Sequence, residues 1–330
     1  MTQLDAKDPS DHLPTSYQEL MIRKHRTEWN RVKDVFEILY ARTKIDWRSS
    51  LDICRYFASF VRNKITGEVK VTSNHCHNRW CPICASSRAN AVSSQVEKWL
   101  RTANYPKMLT LTLKHSDEPL EDQIRLLYDS WRKLRKHKFF KNRVKGGIWF
   151  FQIPRNKERT QWHPHIHAVI EGDFIDNNWI SKEWERITGH SKIIHVTLIR
   201  DFAAASKEIA RYASRPNRLE NLSDDSAIEL ILASRALRTC GTWGTGRKCS
   251  LRPQIVYNKI DWENLGAWKT IISLKEKCES AALILHAYVT KQSLEEGITC
   301  VDKEKFSKDF EIGDGIDEEI LKFYTAYGGY

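Results

Sequence analysis

The chain has 330 residues, longer than one average domain and enough for two, or for one with sizeable appendages. A hydrophobic share of 41%, 12 Trp residues and an ordinary charged share of 29% exclude wholesale disorder. Lys and Arg number 53 against 42 Asp and Glu, and the net charge of +11 with a pI near 9.2 points to a polyanionic partner, nucleic acid before a membrane surface. No stretch approaches the roughly 20 apolar residues of a spanning helix, and the polar start MTQLDAKDPSDHLPT lacks a secretory pattern. The expectation is a soluble, cytoplasmic protein with no membrane partner. Its eight cysteines are then reduced, so that clustered ones indicate metal.

Residues 1–50 read as an N-terminal helical extension, a leader followed by a helix over 17–42. Residues 51–100 read as a cysteine-rich zinc module over 54–84, with a helical pattern from about 86 to 102. MLTLTLKH (108–115) alternates as a strand does. Residues 120–137 form an amphipathic helix, with Ile124, Leu127, Trp131 and Leu134 at spacings of three to four. IWFFQI (148–153), HPHIHAVI (163–170) and KIIHVTLI (192–199) are further strands, the first two joined by the polar hairpin loop RNKERTQ. Helices follow near 180–188, at 202–214 before Pro216, and at 225–237. Residues 261–330 read as a C-terminal helical extension with an acid-rich tail. This order predicts an α+β fold in which 101–260 holds a mostly antiparallel central sheet flanked by helices, downstream of the zinc module.

Successive side chains of a strand point to opposite faces, so His163, His165 and His167 share one face while Pro164, Ile166 and Ala168 take the other, toward a core. Two imidazoles two residues apart suit one ion, and they leave most of an octahedral shell open, as Mg²⁺ or Mn²⁺ bridged to a phosphate requires. Gln152 on the preceding strand is a third, neutral ligand candidate. A half-exposed strand without chemical purpose is the plainer explanation for two such histidines; three within five residues favour a site.

In DFAAASKEIARYASRP, Glu208 and Tyr212 stand i, i+4 on one helical face, with Lys207, Arg211 and Arg215 as a parallel basic stripe for phosphates. Tyr212 can attack phosphorus, and Glu208 can act as general base directing water to a second cleavage. Taken alone, a surface tyrosine beside a solvated glutamate explains the pair as well. Cys76, Cys81 and Cys84 contain a C-P-I-C knuckle for structural zinc; Cys54 is the fourth ligand candidate, with His75 and His77 as competitors. Cys240, Cys249, Cys278 and Cys300 lack such spacing and read as incidental thiols. Arg132–Lys145 carries eight Lys/Arg and no acid around Phe139 and Phe140, which suits either single-stranded nucleic acid or a solvated helix end with two core anchors.

In combination, LTLTL, then WHPHIH, then EIARY resemble the three motifs of rolling-circle replication initiators, the HUH endonucleases. They are most similar to bacterial plasmid initiators with one tyrosine and a glutamate a turn before it. Cys54 followed by Cys76-His77-Asn78-Arg79-Trp80-Cys81-Pro82-Ile83-Cys84 looks like the cysteine-rich stretch of that subgroup, and LRTCGTWGTG (237–246) like its closing region. The similarity spans about residues 50–250.

The resemblance implies a palm-like sheet with the two-histidine strand central and His165 and His167 as metal ligands. It also implies Tyr212 as the nucleophile that keeps the 5′ phosphate while a 3′ hydroxyl primes synthesis, and Glu208 in the terminating hydrolysis. The implied partners are origin DNA, single-stranded DNA, a host helicase and a replicative polymerase. Two positions depart from the family pattern. Gln152 stands where an acidic residue is usual, and Arg215 where a lysine is usual, which keeps the charge but changes the geometry. A transposase or relaxase with the same site, and a non-catalytic zinc-dependent DNA-binding regulator, are the competing functions.

Overall fold

The computed structural model describes residues 12–155, 160–251 and 261–298. In chain order the first elements are α1 (Tyr17–Lys24), α2 (Arg26–Thr43), α3 (Arg48–Asp52), β1 (Ala58–Asn63), β2 (Val69–Ser73), α4 (Pro82–Leu100), β3 (Lys107–Thr112), α5 (Leu120–Lys136), α6 (Lys138–Arg143) and β4 (Val144–Gln152). They continue as β5 (His165–Gly172), α7 (Asn177–Thr188), β6 (Ile194–Leu198), α8 (Phe202–Ser214), α9 (Asp224–Ala233), β7 (Cys240–Gly244), β8 (Trp262–Ala267), α10 (Trp268–Leu274) and α11 (Glu279–Thr290). The described residues gather in two compact units, one of 21–54, 75–155 and 160–251, the other of 12–20, 55–74 and 261–298.

The larger unit is built on a five-stranded, wholly antiparallel sheet in the order β6-β3-β5-β4-β7, so that β5 is the middle strand. Strand alternation divides its side chains between two cores. Leu109, Leu111, Trp149, Phe151, Ile166, Ala168 and Ile170 pack with Leu127, Trp131 and Leu134 of α5 and with Ile180 and Trp184 of α7. On the other face Ile148, Phe150 and Val169 pack with Val92, Val96 and Trp99 of α4 and Ile209 of α8. The amphipathic stripe predicted for 120–137 is the buried stripe of α5. The closing segment 237–246 owes its glycines to close approach. Gly244 has φ +51, and a Cβ there would lie 2.0 Å from the Lys145 carbonyl oxygen.

The smaller unit holds a three-stranded antiparallel sheet, β2-β1-β8, with α10 and α11. Phe60, Val69, Leu265, Trp268, Ile284 and Leu285 form its core, and the Phe60 and Trp268 rings stack at 5.0 Å.

Several elements differ from their predicted form. The helix predicted over 17–42 is broken at His25 into α1 and α2. The cysteine-rich stretch contains the β1–β2 hairpin, which turns at Gly67 with φ +68. The segment after residue 260 opens with a strand rather than a helix, because Trp262, Leu265 and Trp268 recur every three residues and imitate helical spacing. The acid-rich tail, Cys300, most of the leader and residues 156–159 of the hairpin loop lie outside the described residues.

Candidate active site and metal centres

The register of the central sheet aligns Gln152, His165 and Thr112 in one cross-strand row and Phe150, His167 and Thr110 in the next. His165 and His167 therefore project from one face, with Ile166 and Ala168 fully buried behind them. Gln152 Oε1 is 2.6 Å from His165 Nε2 and 2.9 Å from His167 Nε2. His165 Nδ1 lies 2.9 Å from the His163 carbonyl oxygen, which can only accept, so Nδ1 carries the hydrogen and Nε2 presents a lone pair. Thr110 Oγ1, 3.2 Å from His167 Nδ1, orients the second ring, and its hydroxyl can accept from an Nδ1 hydrogen or donate to Nδ1.

Burial, reinforced for His165 by neighbouring His167, lowers the two pKa values to about 3 and about 4, so both rings are neutral lone-pair donors at ordinary pH. Two ring nitrogens and one amide oxygen thus converge on a point. Those three donors fit a divalent cation and leave half of an octahedral shell open. Without a cation, the amide satisfies both rings by turning its NH₂ toward them. β5 begins at His165, and just before it the His163 ring lies against two others, with centroids 4.3 Å from His115 and 5.5 Å from His165.

Helix α8 carries the tyrosine motif over the same face. Asp201 caps its start by accepting from the Ala204 N–H, and the fully buried Ile209 anchors it on Phe150 and Val169. The Tyr212 ring stacks on His167 with centroids 4.1 Å apart and planes 8° from parallel. Its hydroxyl donates to Glu208 Oε1 at 3.0 Å. Burial and then the Glu208 carboxylate push the phenol up to about 12. Lys207 and Arg211 lie exposed along the helix. Arg215 does not continue their stripe. The helix ends at Ser214, Arg215 is extended (φ −161, ψ 151), and it is only 7% exposed.

Arg215 turns into a cleft of about 520 Å³ beside Tyr212 and Gln152. There its Nη2 donates to Glu28 Oε2 of α2 at 2.6 Å, and Arg218 Nη1 lies 3.4 Å from Glu28 Oε1. Burial pushes Glu28 up, but the Arg215 guanidinium outweighs it and holds the carboxyl below its usual range.

Cys54, Cys76, Cys81 and Cys84 bring four Sγ atoms within 4.8 Å of one another, with Cys54–Cys81, Cys54–Cys84 and Cys76–Cys84 at 3.6 Å. A tetrahedral zinc with Zn–S near 2.3 Å has S···S edges of about 3.8 Å, so the donor set fits a closed Cys₄ site. His75 and His77 are outside it. His75 Nδ1 lies 3.8 Å from Cys84 Sγ, and His77 is exposed. Pro82 opens α4 inside the C-P-I-C knuckle, so Cys81 takes the N-cap position without a side-chain cap and Cys84 sits in the first turn, at the positive end of the helix dipole.

The residues between the cysteines fasten this module. Asn78 accepts from the Trp80 N–H, and Arg79 donates to the Ser234 and Leu237 carbonyl oxygens beyond α9. In the basic segment Phe140 is buried and Phe139 packs on Trp179 at 4.2 Å, which makes both rings structural anchors. Thr110 was visible beforehand as the polar half of the MLTLTL alternation. Glu28 had no local signal.

A family model described as replication protein matches residues 68–239. A Staphylococcus aureus protein named Protein rep is 31% identical over 182 residues, covering 49% of this chain and 79% of that protein. A protein of the same name from a Bacillus species is 24% identical over 279 residues, 82% of each chain. A third, from Bacillus amyloliquefaciens, is 29% identical over 161 residues, 46% of this chain and 48% of that one. No solved structure matches.

Proposed function

The chain belongs to the replication-protein family, the rolling-circle plasmid initiators that its motifs resemble, and we propose that it nicks one strand of a plasmid-type origin through a covalent 5′-phosphotyrosine at Tyr212. The observation that carries this reading is the stack of Tyr212 on His167, which unites the EIARY helix with the HPHIH strand. An antiparallel sheet with that strand at its centre supports the palm type of the HUH endonucleases.

His165, His167 and Gln152 would hold the catalytic Mg²⁺ or Mn²⁺. A cation held there would supply positive charge against the negative charge of the scissile phosphate. Glu208 accepts the phenolic proton as Tyr212 Oη bonds to phosphorus and the P–O3′ bond breaks, and that proton then passes to O3′, which gives the 3′ hydroxyl and returns Glu208 to its carboxylate. Once Tyr212 is esterified, the same carboxylate is free to take a proton from water, which then attacks a second phosphodiester to terminate replication.

Lys207 and Arg211 would track the single-stranded DNA, and Arg215 would meet it in the cleft. The Cys₄ site would hold zinc and fold its module without catalysing. A released 3′ hydroxyl calls for a polymerase, and a displaced strand for a helicase, both from the host. Among the described residues no helix is long and apolar enough to cross a membrane.

The test is the full-length protein incubated with Mn²⁺ and a single-stranded oligonucleotide spanning the nick region of the plasmid that encodes it. A denaturation-stable protein–DNA adduct is the expected product, and Tyr212→Phe should abolish it. Failure of the unsubstituted protein to form any adduct on origin DNA overturns the proposal in favour of a non-catalytic regulator.

A further inference from the structure

The cleft beside Tyr212 has walls from four places in the chain: the start of α2, the first turns of α4, the end of β4, and the last turn of α8 with the segment that follows it. At its side Arg215 is 7% exposed, and its Nη2 is committed to Glu28. Among the described residues its Nη1 has no hydrogen-bond partner, although it is shielded from solvent. A guanidinium presents its donors as a rigid fork, and one tine left empty next to a reactive tyrosine is a ready seat for a phosphate oxygen. Glu28 also meets Arg218, so a single carboxylate from α2 orients two guanidinium groups across this cleft. Its volume, about 520 Å³, admits a nucleotide, and Gln152 and Tyr212 form part of its lining.

We infer that this cleft seats the phosphodiester of a nucleotide adjoining the scissile one, with Arg215 Nη1 donating to that phosphate and Glu28 acting as the positioning residue for Arg215. The inference rests on the nicking function proposed above, and it gives the N-terminal helix a part in gripping the strand.

Simple electrostatics and positioning predict opposite signs for one substitution. Glu28→Gln removes a negative charge from a DNA-binding cleft, which by charge alone tightens binding. If Glu28 positions Arg215, binding weakens instead. The measurement is fluorescence anisotropy of a fluorescein-labelled dT20 strand with the full-length, zinc-loaded protein across a NaCl series. Arg215→Met should weaken binding about tenfold and make the slope of log K against log [NaCl] shallower by about 0.7, the loss of one phosphate contact on a single strand. Glu28→Gln should weaken binding about threefold or more while the slope holds, since the cation remains. Arg215→Lys should keep the slope but not the full affinity.

Tighter or unchanged binding by Glu28→Gln, or an unchanged slope in Arg215→Met, overturns the inference. Should either variant fail to fold, the unsubstituted protein is titrated with nick-site oligonucleotides that each carry one neutral methylphosphonate. A loss of affinity confined to a linkage within about two nucleotides of the nick is expected, and uniform tolerance overturns the inference. Adduct formation at Tyr212 reads the parent proposal separately. An adduct with unchanged salt slopes sinks the cleft alone, whereas altered slopes without any adduct sink the nicking and leave the phosphate seat standing.

Discussion

Chelating zinc from the full-length protein should unfold the segment around the four cysteines and leave the five-stranded sheet standing. Cys54, Cys81 and Cys84 are at most 4% exposed, and they share one core with Trp29, Phe36 and Leu39 of α2, Trp80, and Ile228 and Ile231 of α9. Structural zinc contributes about 10–16 kcal/mol in small modules, as much as the whole stability of a typical domain, about 5–15 kcal/mol. That local core cannot replace it. The two cores of the sheet contain none of the four ligands, so they should survive. Helix α4 spans both environments. Its first turns carry Cys84 and Ala85, while Val92, Val96 and Trp99 hold its second half on the sheet, so it should fray only at its start. Hydrogen exchange read by mass spectrometry, with and without chelator, locates the loss, and metal analysis should return one zinc per chain. Full amide protection through residues 48–54 and 75–89 after zinc removal would refute the argument. A cobalt-substituted protein with a three-thiolate, one-imidazole spectrum would refute Cys54 as the fourth ligand and install His75.

Three further outcomes follow from the site. Ile166, 0% exposed between the two histidines, supports them from the core side; Ile166→Ala should cost about 2–5 kcal/mol, read as a lowered denaturant midpoint, and a change below about 1 kcal/mol would contradict the packing. Thr110→Val removes the group that orients His167 through Nδ1 and should weaken Mn²⁺ binding by calorimetry about 10–100-fold, with unchanged affinity as the contrary result. Glu208→Ala should leave the first cleavage measurable, because water can take the phenolic proton, and should impair termination on a two-site substrate more severely; equal loss of both steps would defeat the division of labour.

What was legible in the sequence is what local periodicity controls. The alternation in HPHIHAVI divides His165 and His167 from the buried Ile166 and Ala168, and the stripe Ile124, Leu127, Trp131, Leu134 is the buried face of α5. The i, i+4 pair Glu208–Tyr212 is a direct hydrogen bond because a helix brings those positions together. Gln152 was legible only through the hairpin register that sets it opposite His165. The β1–β2 hairpin and β8 escaped because the partner strand of β8 lies some two hundred residues earlier in the chain, and short strands have no strong period of their own. Glu28 escaped for the same reason: its partner Arg215 is 187 positions away.

Arg215 itself is the instructive case, because the sequence contained the information and a pattern hid it. Spacing of four after Lys207 and Arg211 places Arg215 on the same helical stripe. The residue before a proline is disfavoured in the helical region, however, since the proline Cδ clashes with its backbone N–H and Cβ. Pro216 therefore favours an extended Arg215, which has φ −161 and ψ 151. A residue released from the helix at that point cannot point along the stripe. Its side chain is buried at the cleft beside Tyr212, where a charge needs an ionic partner, and Glu28 of α2 supplies one. One proline thus converts a surface cation into a buried, oriented one. The planar fork of Arg215 gives Nη2 to Glu28 and keeps Nη1 unpartnered among the described residues, a division that the single charge point of a lysine could not reproduce.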